Sequence, residues 1–134
     1  MNILVDTSVW SLAMRRTSAS PPPEVVLLGE CLERGDGIVT TGLVLQELLQ
    51  GFHGPAQSKR ILAEFSLLPV LAPDLEDHIE AAALRNHCRR RGVQVGTIDA
   101  LLARLSIRHG LRLLTTDRDF EAMARHCPLS LLSP

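Results

Sequence analysis

The chain has no tyrosine, one tryptophan and three phenylalanines. Broad aromatic platforms of the kind that stack bases or sugars are therefore scarce, and contacts to a polyanion would fall to arginine. Lysine is almost missing too: Lys59 stands alone against thirteen arginines, the cation better suited to bidentate phosphate contact. No stretch approaches the roughly 18 apolar residues of a membrane span, and no basic segment leads into an apolar stretch and a cleavage site. The protein is expected in the cytoplasm. Its three cysteines, Cys31, Cys88 and Cys127, are odd in number, far apart and without a C-x-x-C pair, which argues against a disulfide framework or a zinc ribbon. His87 and His126 each precede a cysteine, but adjacent side chains on a helix diverge, so zinc is set aside. A net charge of only -1 gives no overall attraction to nucleic acid; any such binding must be local.

With 134 residues, 46% of them apolar, the chain is read as one domain spanning residues 1–134, large enough to bury a core unaided. Short apolar runs alternate with helical stretches. Strands are expected at Asn2–Val5, Ile38–Thr41, around Val70 and Leu71, at Leu111–Thr115 and at Leu129–Leu132. Helices are expected from Thr7, over Glu24–Arg34, Leu43–Gln50, up to about Ser66, Leu75–Arg91, Ile98–His109 and Arg118–His126. Gly35, Gly92 and Gly110 are placed as stops. Ser18–Pro23 reads as a loop, and Val93–Gly96 as a connection or very short strand. This alternation predicts an α/β fold, a three-layer α/β/α sandwich with a mostly parallel sheet of four to five strands.

The organising stretch is Leu113-Leu114-Thr115-Thr116-Asp117-Arg118-Asp119-Phe120, an apolar strand that delivers hydroxyls and carboxylates to the carboxyl edge of a parallel sheet, where α/β proteins place ligands. Asp6 ends the first strand on the same edge. Either aspartate could simply cap the helix that follows it. Glu47 is harder to dismiss: on a helical wheel it lies inside the apolar arc of Leu43, Val44, Leu45, Leu48 and Leu49, while Gln46 and Gln50 take the outer positions. An inward carboxylate needs a partner, and a salt bridge to an arginine weighs equally with a metal role. Asp99 follows Thr97, the expected N-cap, and lies between Leu102 and Ala103 with Ser106 beyond, a small polar notch in an apolar helix face. Asp74 and Asp77, spaced as an N-cap and its third residue, are assigned to structure. Arg89, Arg90 and Arg91 are read as a solvated helix end suited to the dipole rather than as a phosphate patch. Trp10 and the leucine-rich helices of the first half are assigned to core in preference to interface.

Four carboxylates brought close together cannot all stay ionised without a counter-charge, so some are protonated or a divalent cation is shared. Oxygen ligands without His or Cys favour Mg²⁺ or Mn²⁺, and that set suits phosphodiester hydrolysis. Ser8, Thr115 and Thr116 are placed behind the acids, orienting them.

Asp6-Thr7-Ser8-Val9-Trp10 after an apolar strand, the helix-borne Glu47, Gly96-Thr97-Ile98-Asp99-Ala100 and Leu114-Thr115-Thr116-Asp117-Arg118-Asp119-Phe120 occur in that order along nearly the whole chain. In these features the sequence resembles the PIN-domain ribonucleases and, more narrowly, the VapC-type toxins of bacterial toxin-antitoxin pairs. The resemblance implies a metal-dependent endoribonuclease acting on RNA, with Asp6, Glu47, Asp99 and Asp117 as its acidic quartet and Asp119 as a possible fifth member. Asp6 and Asp99 are the strongest direct ligands, whereas Asp117 suits water or a second metal. It also implies a homodimer inhibited by a cognate antitoxin. Gly51–Leu75 carries no matching signature, which leaves the choice of RNA open. Two other readings are an Asp6-nucleophile phosphatase, against which Ser8 stands where a second acid is usual, and a non-catalytic RNA- or partner-binding module.

Overall fold

The structure, a computed structural model, describes residues 1–15 and 20–134. Its elements run β1 (Asn2–Val5), α1 (Thr7–Met14), α2 (Pro23–Arg34), β2 (Gly37–Thr41), α3 (Gly42–Gly51), α4 (Pro55–Phe65), β3 (Val70–Leu71), α5 (Leu75–Arg90), α6 (Thr97–Arg108), β4 (Arg112–Leu114), α7 (Asp119–Ala124) and β5 (Ser130–Leu131). Of the loop expected at Ser18–Pro23, Ser18 and Ala19 lie outside the described residues, and Pro23 already opens α2. Proline suits that first turn because its missing N–H has no partner there anyway. Helix α2 ends at Gly35 with φ 77°, a left-handed conformation that glycine adopts without steric cost.

All five strands are parallel, in the order β3-β2-β1-β4-β5. The chain first moves outward from β1 through β2 to β3, then returns through α5 and α6 to β4 on the other side of β1. Right-handed crossovers therefore put α1 to α4 on one face and α5 to α7 on the other, the expected sandwich. The direction of winding reverses between β1 and β4, so the crevice outside their carboxyl ends is the switch point where such sheets bind ligands.

The core lies along these two central strands. Ile3, Leu4, Val5, Leu113 and Leu114 are fully buried, with Leu102 and Leu105 of α6 and Phe120 and Met123 of α7 also enclosed. Continuous apolar strands, rather than alternating ones, are what a sheet covered on both faces requires. Trp10 is buried with its ring centroid 5.0 Å from that of Phe65, which ties α1 to α4 as core. Cys31, Cys88 and Cys127 are free thiols. Among the described residues no helix is long and apolar enough to cross a membrane.

Candidate active site

Val5 pairs with Leu114 in register, and the Asp6 N–H donates to the Leu114 carbonyl at 2.9 Å. This puts Asp6 beside Thr115 at the switch point. Asp6 occupies the N-cap position of α1, yet its side chain makes no capping bond. Its Oδ2 instead accepts from Ser8 Oγ and from Thr115 Oγ1, each at 2.8 Å. The helix-capping account of Asp6 therefore fails. The carboxylate, 7% exposed, is aimed by two hydroxyls, one from its own helix and one from β4.

Those hydroxyls are fixed in turn. Ser8 Oγ accepts from the Thr116 N–H at 3.1 Å, and Thr115 Oγ1 accepts from the Asp117 N–H at 3.0 Å. The turn after β4 thus locks the rotor of each hydroxyl so that its proton points at Asp6. Thr116 contributes to this lattice through its backbone. Asp117 does what an aspartate before a helix ordinarily does: its Oδ1 accepts from the Asp119 N–H at 2.9 Å at the entry to α7.

Glu47 faces inward from α3, as its place in the apolar arc requires, but its partner is not an arginine. Its Oε1 accepts from Thr7 Oγ1 at 2.9 Å, and no cation bridges it among the described residues. Of the two partners weighed for Glu47, the salt bridge is absent among the described residues, because α3 packs on α1, whose first residue carries a hydroxyl. Thr7 is the site residue that sequence reading missed. The signal was available in Asp6-Thr7-Ser8, an acid followed by two hydroxyls at the mouth of a helix, each of which holds a different carboxylate.

Asp99 is half-buried in the first turn of α6. Its N-cap is Gly96, not the expected Thr97, and no side chain caps the helix. The notch also differs in detail: Ser106 Oγ donates to the Leu102 carbonyl of its own helix at 2.9 Å and so offers no proton to the carboxylate. Burial, followed by repulsion from Asp6, Asp117, Glu47 and Asp119, pushes the Asp99 carboxyl up to about 6. Those four acids come from the end of β1, from α3, from the β4–α7 turn and from the start of α7.

The chemistry of this group is that of an uncompensated cluster of anions, which attracts a cation. Among the described residues none of the five acids is bridged by arginine or lysine. Nor does any group of three acidic, His or Cys side chains there form a ready-made cage. A set of this kind fits Mg²⁺, which keeps several waters and takes one or two carboxylates rather than a full protein cage. Asp6 and Asp99 are the side chains best placed to hold it, because Asp6 is pre-aimed and Asp99 is the carboxylate most in need of a positive neighbour.

A family model for the PIN domain matches residues 3–126. The chain belongs to the PIN-domain family. Among curated proteins, this PIN-domain chain is 34% identical over 125 residues to a VapC ribonuclease of Mycobacterium bovis and to ribonuclease VapC11 of Mycobacterium tuberculosis, with 92% of each chain covered. Among solved structures, it resembles VapBC2 from Rickettsia felis bound to a promoter DNA fragment (TM-score 0.77, 22% identity, 98% of both chains). It also resembles the sarcin-ricin loop cleaving toxin VapC20 of Mycobacterium tuberculosis (TM-score 0.68, 18% identity, 90% of this chain and 93% of that one). At these identities the structures speak for the fold, and the sequence relatives for the family.

Proposed function

We propose that this PIN-domain protein is a metal-dependent endoribonuclease that hydrolyses RNA phosphodiester bonds, and that it is the toxin of a toxin-antitoxin pair. The observation that carries the reading is Asp6, aimed by Ser8 and Thr115 at the switch point of a parallel sheet, with no arginine or lysine bridging it, Glu47, Asp99 or Asp117 among the described residues. A fold gains nothing in stability by gathering unpaired acids there, whereas a hydrolase that recruits Mg²⁺ or Mn²⁺ does gain a site. The curated relatives are named as ribonucleases, and structural neighbours include VapBC complexes. These support an RNA substrate, a cognate antitoxin as partner and, with the family as a whole, a homodimer.

When bound, the cation supplies positive charge to the phosphoryl oxygens and acidifies water. The chain's own residues do the rest. Asp6 presents its carboxylate in one orientation because Ser8 and Thr115 both donate to Oδ2, and a pre-aimed ligand loses little freedom on binding. Glu47 is held by the hydroxyl of Thr7. Asp117 keeps one oxygen on the Asp119 N–H, leaving the other for water or a second cation.

The decisive experiment replaces Asp6 or Asp99 by Asn and follows cleavage of RNA with and without Mg²⁺ or Mn²⁺. Activity is expected to require metal and to vanish in both variants. Undiminished cleavage by either variant would refute the assignment.

A further inference from the structure

We propose that Arg85 and Arg89 form the phosphate-holding wall of the active cleft and bind the RNA backbone beside the scissile bond. The proposal rests on the RNA-cleaving reading above and names how the substrate is held. A polyanion approaching five carboxylates on a chain of net charge -1 meets repulsion, and a local cation cluster must offset it. Arg85 and Arg89 lie one turn apart on α5, so they share a face of the helix.

With Gln94, Val95, Gly96 and Asp119 they line a cleft of about 490 Å³. Two of these residues join the cleft to the acidic group. Asp119 donates its backbone N–H to Asp117 Oδ1 at 2.9 Å and so adjoins that member of the group. Gly96 sits against Asp99 so closely that a Cβ there would lie 3.5 Å from Oδ2. Phosphates in this cleft would therefore be next to the acids.

The arginines are also free for the task. Arg34, Arg60, Arg104 and Arg108 each bridge a carboxylate, whereas among the described residues Arg85 and Arg89 bridge none. Arg85 Nε donates to the Val95 carbonyl at 2.7 Å, which fixes the plane of its guanidinium and leaves its two terminal nitrogens for a ligand. A guanidinium fixed in this way matches phosphate in a bidentate manner with little further ordering. No aromatic residue lines the cleft, so base stacking is not its mode of recognition. It holds backbone, and does so alike for every sequence.

The test uses Arg89→Gln, its conservative counterpart Arg89→Lys, and Arg112→Gln as a control that removes the same charge from the amino edge of β4. Steady-state cleavage of a single-stranded oligoribonucleotide in Mg²⁺ or Mn²⁺ is measured across a salt series. Binding anisotropy of the same RNA is read in parallel. Arg89→Gln is expected to raise KM and Kd about fivefold on every sequence tried, with kcat within twofold and a log-log salt slope shallower by roughly 0.7. Arg89→Lys should restore the slope, and Arg112→Gln should change neither quantity. An unaltered KM and salt slope in Arg89→Gln, or equal losses in Arg112→Gln, would overturn the proposal. Wild-type protein that binds RNA without cutting it in either metal would instead overturn the ribonuclease reading, and the anisotropy series would still decide the role of Arg89.

Discussion

Helix α6 meets buried or half-buried acids at both of its ends, and the two encounters are opposites. Toward its C-terminus, Arg104 Nε and Arg108 Nη1 bridge the fully buried Asp77 of α5 at 3.1 and 2.6 Å. Asp77 and Asp74 also each accept, through a carboxylate oxygen, from the other's backbone N–H, a complete capping box. Burial alone would raise the Asp77 carboxyl, but the Asp74 N–H and the two guanidinium groups outweigh it and lower the group to about 2. At the other end Asp99 has burial and four like charges with no cation, and rises to about 6. The same helix thus holds one carboxylate whose charge is satisfied by the fold and one whose charge is left for something else. The first is architecture; the second belongs to the candidate site.

The comparison breaks most sharply on exchange of the acid for its neutral isostere. Asp99→Asn should lower RNA cleavage by roughly 10⁴-fold or more, to the limit of detection, the scale seen when a member of a cooperating catalytic group is removed. The metal-free variant should be as stable as wild type or more so, since a repelled charge is gone. Asp77→Ala should do the reverse. Leaving Arg104 and the rest of the network without their buried partner costs about 3 to 5 kcal/mol, read by urea unfolding, while kcat of the folded fraction stays within twofold. A severe loss of stability in Asp99→Asn, or of kcat in Asp77→Ala, would erase the distinction.

Smaller effects sharpen it. Ser8→Ala and Thr115→Val each remove one hydroxyl from Asp6, and a lost supporting hydrogen bond of this kind weakens metal affinity by about 10- to 100-fold. Calorimetric titration with Mn²⁺ checks this; unchanged affinity in both variants would mean that the hydroxyls do not aim a ligand. Wild type at ten times the dissociation constant of its metal should gain about 1.4 kcal/mol in unfolding free energy, and Asp99→Asn little or none. Equal stabilisation of the two proteins would place the metal elsewhere.

How much of this was legible beforehand differs between the two regions for a physical reason. The sheet, its parallel sense and the Asp74–Asp77 capping box follow from local patterns: apolar runs, glycine stops and an i to i+3 spacing. The family was legible because the four acids of this chain each stand in a distinct local setting, at the end of a strand or inside an apolar helix face. The partners of those acids were not legible, because they come from elements far apart in sequence. Glu47 was read as needing a partner, an arginine or a metal with equal weight, and meets Thr7, forty residues away; Asp77 was placed in a cap without its arginines from α6. Sequence periodicity says that a side chain faces inward, and only the packing of α1 on α3, or of α5 on α6, says what it meets. Thr97 failed for the converse reason: cap preference is a statistical tendency, and here the chain enters α6 with Gly96 at the cap.

The two regions should also respond to acid in opposite directions, an effect smaller than those of the substitutions. Asp77 has a folded-state value near 2, below the ordinary carboxylate value, so the unfolded chain binds more protons and stability falls as pH drops from about 4 to about 2. Asp99, raised to about 6, binds more protons in the folded state. In metal-free protein it therefore makes stability fall as pH rises from about 4 to about 6. Urea unfolding in chelator across this range should show both slopes. Asp77→Asn should remove the lower one and Asp99→Asn the upper. Because a bound cation favours the ionised form of Asp99, saturating Mg²⁺ should flatten the upper slope and leave the lower one unchanged. An upper slope that persists undiminished in saturating metal would mean that Asp99 is not among the acids the cation neutralises.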